Sequence, residues 1–190
     1  FIYNMAESKK ELRKEVQARL EAQSSADRAR RSLVIQDKLW GLPAFQKADF
    51  VFFFVSMPEE VDTNGMIDRA LASGKRVAVP CAHLREKKLF FCEITDRQSQ
   101  LKPGLCGILE PDRALVKEVP AREAQCVIVP GVVFDKKKCR IGHGAGFYDR
   151  FLAQVDPKTP KVGLAYSFQV MIKDLPQEVH DVALDELITD

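Results

Sequence analysis

The beginning of the chain carries apolar side chains at helical spacing. Leu12, Val16 and Leu20 recur every four residues, which is the pattern of one face of an amphipathic helix. Ser8 precedes this stripe, and Glu11 follows three residues later. A serine and a glutamate at that spacing form a capping box, in which each side chain accepts from a backbone N–H at the helix start. The pattern therefore predicts a first helix that begins at Ser8.

A second helix is predicted between Ser25 and Gly41. Its apolar positions include Leu33 and Leu39, and Pro43 lies just beyond its end. Glycine and proline after the last periodic residue are typical of a helix terminus. We expect the two helices to form an N-terminal hairpin.

From Phe50 onward the helical pattern gives way to continuous apolar runs. Residues 50–55 read Phe-Val-Phe-Phe-Phe-Val, as expected for a strand that is covered on both faces. Further strands are predicted at 77–79 (ending at Pro80), 89–93, 126–129, 161–166 and 186–189, and helices at 64–73 and 147–155. This alternation predicts a single α/β domain over residues 1–190, a three-layer sandwich with a mostly parallel central sheet. Residues 1–7 are expected to be a disordered or extraneous tail.

Composition excludes several classes of protein but does not identify the function. The 190 residues are 46% hydrophobic and 29% charged, with a net charge of +2, so the strongly basic face typical of nucleic-acid binding is not expected. No apolar run is long enough to span a membrane. The five cysteines are scattered without a Cys-x-x-Cys pair, and the three histidines lack ligand spacing. We expect a cytoplasmic protein without disulfides or zinc, since this cysteine usage fits a reducing compartment.

The segment from Arg140 to Arg150 is the most informative in the chain. It places glycines at 142, 144 and 146 between a strand and a helix. Such a turn gathers free N–H groups at the positive end of a helix dipole, which favours phosphate. The spacing matches neither the P-loop nor the dinucleotide fingerprint. The alternative is a plain flexible turn, although Arg140, Asp149 and Arg150 beside the glycines favour a phosphate site.

Other polar segments follow the predicted strands, at 56–63, 130–135, 167–169 and 178–181. Parallel sheets bind ligands at the carboxyl ends of their strands, so these segments are expected to meet at one edge. For any single acid the alternative is a solvated loop carboxylate. Lys9 and Arg13, four residues apart, share one helix face; they form either part of the site or a solvated cationic stripe.

Taken together, these segments resemble the 5-formyltetrahydrofolate cyclo-ligase (methenyltetrahydrofolate synthetase) family. The likeness is carried by residues 9–13, 60–63, 107–111, 129–135 continuing through 140–152, and more weakly by His180 and Asp181 with Asp185. The resemblance implies an ATP- and Mg²⁺-dependent enzyme that closes 5-formyltetrahydrofolate to 5,10-methenyltetrahydrofolate. ATP would phosphorylate the formyl oxygen, N10 would attack the activated carbon, and ADP and phosphate would be released.

The resemblance also implies roles for individual residues. The nucleotide site would comprise residues of the first helix and the glycine segment: Lys9, Arg13, Arg140, Gly142, His143, Gly144, Ala145, Gly146, Phe147 and Tyr148. The folate site would be lined by Val55, Glu60, Cys106 and Tyr148. Asp149 and Asp181 would hold Mg²⁺, while Arg140 and Tyr148 would take part in catalysis. The chain departs from the family pattern at His143, Ala145, Phe147 and Cys106.

Two alternatives to the cyclo-ligase stay open on the sequence alone. One is a non-catalytic protein that binds nucleotide or folate and releases no phosphate. The other is a phosphosugar isomerase or CoA-transferase on a similar sheet, which would need neither the Lys9/Arg13 helix nor Glu60. We expect a monomer whose only partner is its small-molecule substrate, 5-formyltetrahydrofolate with or without a polyglutamate tail.

Overall fold

The computed structural model of the chain describes residues 5–83, 86, 88–104 and 108–190. Its first three helices are α1 (Met5–Glu21), α2 (Ser25–Gly41) and α3 (Pro43–Lys47). Helix α1 begins three residues before Ser8, so the predicted N-cap is wrong. The preceding Met-Ala-Glu are all good helix formers, which explains why the helix extends upstream. The start of α2 is as predicted, with the Ser24 hydroxyl accepting from Asp27 N at 3.0 Å.

The central layer is a sheet of seven strands, six of which the sequence predicted; the strand at residues 117–119 was not among them. Its strands are β1 (Phe50–Phe52), β2 (Arg76–His83), β3 (Lys88–Ile94), β6 (Lys117–Val119), β7 (Cys126–Val129), β10 (Lys161–Ala165) and β12 (Glu186–Thr189). Their order is β12-β10-β7-β1-β2-β3-β6. The first five in this order pair in parallel, whereas β3 is antiparallel to both of its neighbours, β2 and β6. The sheet is therefore mostly parallel with an antiparallel edge.

Both faces of the sheet are covered, which explains the continuous apolar run at its centre. Val51 and Phe53 pack in one core cluster, together with Val16 and Leu39 from the helices. Phe50 and Phe52 point the other way and pack in a second cluster with other aromatic residues. Successive side chains of a strand alternate between faces, so a strand buried on both sides needs apolar residues throughout.

Strand β2 is longer than predicted and passes through Pro80, where the sequence placed its end. Beyond Ala78 the strand no longer pairs with β1 and is paired only with β3. Proline lacks a backbone donor, which is tolerated where one side of a strand has no neighbour. The proline therefore lies on the unpaired side of the strand rather than terminating it.

The remaining elements are short and flank the sheet. They are α4 (Asn64–Ala72), α5 (Arg97–Gln100), α6 (Phe147–Leu152), a two-stranded sheet of β4 (Leu101–Pro103) and β5 (Leu109–Pro111), and a three-stranded sheet with the order β11 (Val170–Met171), β8 (Val133–Asp135) and β9 (Arg140–Ile141). The three-stranded sheet was not predicted. Helix α6 ends before residue 155, because the chain turns at 153–155 ahead of Pro157.

Helices α1 and α2 both contribute to the core, but they pack mainly on different elements. Helix α1 lies closest to β8, while α2 lies against β12 and α3. The predicted N-terminal hairpin is therefore not confirmed. Among the described residues, no helix has both the length and the apolar character needed to cross a bilayer.

Candidate active site

The glycine loop, residues 142–146, follows the β8–β9 hairpin rather than β7 directly. The hairpin positions Arg140 at its end, and the loop then leads into α6, which carries Tyr148 and Asp149. Helix α1 approaches from the other side. The Arg13 Nε donates to the Gly142 carbonyl at 2.7 Å. The N-terminal helix and the glycine loop, 129 residues apart in sequence, thus meet at one place.

Guanidinium groups lie close to the glycines of the loop. A Cβ at Gly146 would lie 2.9 Å from the Arg150 Nη1, and one at Gly142 would lie 3.3 Å from the Arg140 Nη1. Gly146 also has a φ of 65°, which L side chains rarely adopt. The Arg150 Nη2 donates to the Ala145 carbonyl at 2.7 Å. The glycine loop is therefore lined by cations, which is the charge that a polyphosphate requires.

Arg140 is buried and paired with one of the two predicted metal carboxylates. Its Nη2 donates to the Asp149 Oδ1 at 2.7 Å, and its side chain is only 3% exposed. Burial lowers the pKa of Arg140, although the nearby Asp149 opposes this. The Arg140 Nε is buried with no hydrogen-bond partner among the described residues. Asp149 Oδ1 also accepts from the backbone of Val182, at 3.3 Å.

Lys9 is paired in the same way with the other predicted metal carboxylate. Its Nζ lies 2.8 Å from the Asp181 Oδ2 and 3.6 Å from the Glu178 Oε2, and the lysine is buried. Burial disfavours ionisation of Asp181, but hydrogen bonds from Lys9 and the Glu178 backbone outweigh it and lower the pKa of Asp181. Lys9 is therefore not a solvated cation, and it lies against one of the two carboxylates predicted to hold Mg²⁺.

The carboxylates at this edge are suited to a hard cation. Ligand atoms of Glu178, His180 and Asp181 lie within 4.8 Å of one another, and Asp149 contacts the backbone next to Asp181. Carboxylate oxygens are the protein ligands that Mg²⁺ prefers; Asp181 belongs to this group, whereas Asp149 does not. In the structure each carboxylate is instead neutralised by a cation, Arg140 or Lys9. Binding of Mg²⁺ with a polyphosphate would exchange these partners.

Glu60 lies on the other side of the glycine loop, in the segment that follows β1. Its Oε2 accepts from the Met57 N–H at 2.9 Å, and its Oε1 lies 3.2 Å from the His143 Nε2. The Tyr148 hydroxyl is buried without a partner among the described residues. Burial, together with the negative charge of Glu60, raises the pKa of Tyr148 well above its usual range. A buried, unpaired hydroxyl beside a carboxylate fits a site for a polar ligand.

The other predicted site residues have mixed surroundings. Val55 is buried in the core beyond the end of β1. Ala145 is exposed, and Phe147 is half-buried with the Arg150 guanidinium 5.5 Å from its ring centre. Cys106 lies outside the described residues. Of the other predicted segments, 167–169 has a structural role, because Gln169 Nε2 donates to the carbonyls of residues 131 and 132 at 3.1 and 3.0 Å.

Asp135 supports the site but was not identified from the sequence. It is fully buried; its Oδ1 accepts from the N–H groups of Lys137 and Cys139, and its Oδ2 from that of Leu175, each at 2.9 Å. One carboxylate therefore joins the turn that precedes Arg140 to the segment that leads to Asp181. The only sequence signal was an acid at the end of an apolar run, which does not reveal partners 40 residues away.

Comparisons with known proteins give the family of the chain. Residues 5–190 match the 5-formyltetrahydrofolate cyclo-ligase family. The chain is 34% identical to the 5-formyltetrahydrofolate cyclo-ligase of Escherichia coli K12 over 149 residues, covering 77% of this chain and 81% of the relative. It is 28% identical to the mouse 5-formyltetrahydrofolate cyclo-ligase over 191 residues, covering 95% and 93% of the two chains.

Solved structures give the same result for the fold. The NMR structure of Aquifex aeolicus 5,10-methenyltetrahydrofolate synthetase superposes with a TM-score of 0.82 at 33% identity, covering 95% of this chain and 89% of that one. A 5,10-methenyltetrahydrofolate synthetase from Mycoplasma pneumoniae superposes with a TM-score of 0.76 at 23% identity, covering 95% and 97%. At that identity the second match supports the fold alone.

Proposed function

The chain belongs to the 5-formyltetrahydrofolate cyclo-ligase family, and we propose that it converts 5-formyltetrahydrofolate to 5,10-methenyltetrahydrofolate with hydrolysis of ATP to ADP and phosphate. As a member of this family it is an enzyme of the ligase class. We further propose that it acts as a monomer in the cytoplasm. Its described cysteines, at 81, 92, 126 and 139, are all free thiols, which fits a reducing compartment.

The observation that carries the proposal is the position of the glycine loop between two different chemical environments. On one side Arg13 binds the Gly142 carbonyl, and on the other His143 contacts Glu60. The first side is rich in cations and suits phosphates, while the second offers a carboxylate that suits the paired N–H groups of a pterin. A reaction that joins a phosphoryl donor to a folate needs both sites next to each other.

Lys9, Arg13 and Arg140 would hold the phosphates of ATP, with Asp149 and Asp181 as ligands of Mg²⁺. Bound MgATP supplies the phosphoryl group that converts the formyl oxygen into a good leaving group. The contribution of the protein to such transfers is mainly positioning and charge stabilisation. Arg140 suits this role, since its buried guanidinium has one N–H group unpaired within the described part of the chain.

Glu60 and Tyr148 would position the folate. The Glu60 carboxylate can accept two neighbouring pterin N–H groups, and the buried Tyr148 hydroxyl can donate to a substrate oxygen or nitrogen. Because burial keeps the phenol protonated, Tyr148 would act as a hydrogen-bond donor rather than as a base. The two residues together would hold the formyl group and N10 against the phosphate side of the loop.

The proposal is tested by mixing the purified chain with 5-formyltetrahydrofolate and MgATP. Methenyl absorbance and phosphate release should rise together, in equal amounts, and both should be absent when ATP or Mg²⁺ is omitted. Binding of both ligands without product would favour the non-catalytic alternative. Failure to bind 5-formyltetrahydrofolate would remove this substrate assignment and leave a different substrate for the same fold.

A further inference from the structure

Both carboxylate oxygens of Glu60 have partners in the structure, but the two partners differ in kind. The Oε2 accepts from the Met57 N–H at 2.9 Å, a bond within the local turn. The Oε1 faces the His143 Nε2 at 3.2 Å. The Glu60 side chain is 11% exposed, whereas that of His143 is 48% exposed. A ligand that binds the Glu60 Oε1 would therefore compete with His143 for the same oxygen.

Glu60 itself is held in place. Its backbone carbonyl accepts from the Tyr166 hydroxyl at 2.9 Å, and Tyr166 is fully buried. The same hydroxyl lies 3.2 Å from the hydroxyl of Ser32 on α2. The buried tyrosine therefore ties the Glu60 segment to the core, so that the carboxylate is the fixed partner of the pair.

His143 is the movable partner. It lies in the glycine loop next to Gly144, whose φ of 104° gives the backbone freedom that other residues lack. Residues 143–145 are all exposed. On the opposite side the loop is tied to α1 through the bond from Arg13 to the Gly142 carbonyl. Loss of the His143 contact would remove the loop's tie to Glu60, while Arg13 still holds the Gly142 carbonyl and Arg150 that of Ala145.

We propose that His143 determines folate affinity by occupying the substrate-facing oxygen of Glu60 until the pterin displaces it. This rests on the proposed function, in which Glu60 accepts from pterin N–H groups. The histidine is then a competitor of the substrate rather than one of its ligands. Its displacement would also release the glycine loop on the folate side, so that folate binding prepares the loop for the phosphates.

The experiment measures binding of 5-formyltetrahydrofolate by calorimetry for the wild type, His143→Ala and His143→Gln. His143→Ala should bind the folate roughly two- to fivefold more tightly. This change in affinity corresponds to the free energy that one partly exposed ion pair contributes. His143→Gln, which keeps a neutral donor, should lie between the two. His83→Ala is the matched control, because His83 is also part-exposed and pairs with Glu86 at 3.4 Å; its affinity should be that of the wild type.

Unchanged affinity of His143→Ala would overturn the inference, and weaker binding would show that the histidine contacts the folate directly. These outcomes differ from failure of the proposed function. If the wild type neither binds 5-formyltetrahydrofolate nor forms the methenyl product, the substrate assignment fails. If the wild type does both and the histidine variants bind as it does, only the role of His143 is lost.

Discussion

At the scale of single residues, the site is defined by charge pairs that the ligands would have to rearrange. Lys9 and Arg140 are cations predicted to bind phosphate, and they neutralise Asp181 and Asp149, the predicted metal ligands. Removing one partner of such a buried pair leaves the other without compensation, which is strongly unfavourable. Mg²⁺ and ATP together supply both replacement partners, so we expect them to bind cooperatively.

Asp149→Asn should abolish this cooperation. The amide is a weak ligand for Mg²⁺ and a poorer partner for Arg140, so turnover should fall by roughly 100-fold or more. Calorimetry with a non-hydrolysable ATP analogue, with and without Mg²⁺, should show that the metal no longer strengthens binding. Asp156→Asn, a change at an exposed aspartate, is the control. Retention of the Mg²⁺ effect in Asp149→Asn would contradict the metal assignment.

The His143–Glu60 pair predicts a pH dependence of folate binding. The hydrogen bond to Glu60 raises the pKa of His143, with Glu59 adding to this effect while burial and Arg13 oppose it. Below about pH 6.5, the ordinary histidine pKa, His143 is protonated and forms an ion pair with Glu60. This ion pair is lost as the pH rises through the raised pKa of His143. Folate should bind more tightly as pH rises through this range. His143→Ala should lack this change in calorimetric titrations; the same slope in both proteins would assign it to another group.

At the scale of elements, long segments follow from the sequence and short ones do not. Helices α1 and α2 have clear apolar periodicity, and the buried strands are continuous apolar runs. The strands β8, β9 and β11 have only two or three residues, too few for a period, and they were missed. The same limit applies to the site. Its glycine loop could be recognised from composition, whereas the contact between Lys9 and Asp181, which lie 172 residues apart, could be seen only in the folded structure.

Helix α1 is predicted to place Lys9 and Arg13 against the phosphates of ATP. Lys9→Ala and Arg13→Ala should each raise the KM for ATP about tenfold or more, since hydrogen bonds to charged groups contribute about 1.5–3 kcal/mol. Steady-state kinetics with varied ATP at saturating folate would measure this. Lys10→Ala and Lys14→Ala are matched controls on exposed positions of the same helix. If all four variants show the same KM, α1 does not contribute to the nucleotide site.

Asp135 connects the β8–β9 hairpin to the segment that carries Asp181. In Asp135→Asn an amide nitrogen would face a backbone N–H, which leaves a buried donor unpaired and should reduce the free energy of unfolding by about 1–3 kcal/mol. Urea denaturation would test this. Asp174→Asn is the control, because Asp174 forms an exposed pair with Lys137 at 2.5 Å that should contribute less than about 1 kcal/mol. Equal loss in both variants would refute the special role of Asp135.

At the scale of the whole molecule, the sheet brings the residues of the proposed site together. The segment after β1 supplies Glu60, the chain after β7 supplies the hairpin and glycine loop, and α1 closes the site from the N-terminus. Ligand sites at the carboxyl ends of parallel strands are the rule for such sheets. The family and the class of sheet could be predicted because several separated motifs indicated the same family. The hydrogen-bond and ion-pair partners of the site residues could be identified only in the folded structure.

The central claim is that the formyl oxygen is activated by phosphorylation in this site. The most direct measurement uses 5-formyltetrahydrofolate labelled with ¹⁸O in the formyl group, incubated with MgATP and the purified chain. Mass spectrometry should find one ¹⁸O atom in the released phosphate for each methenyl product formed. Release of ¹⁸O into water, with unlabelled phosphate, would contradict the account.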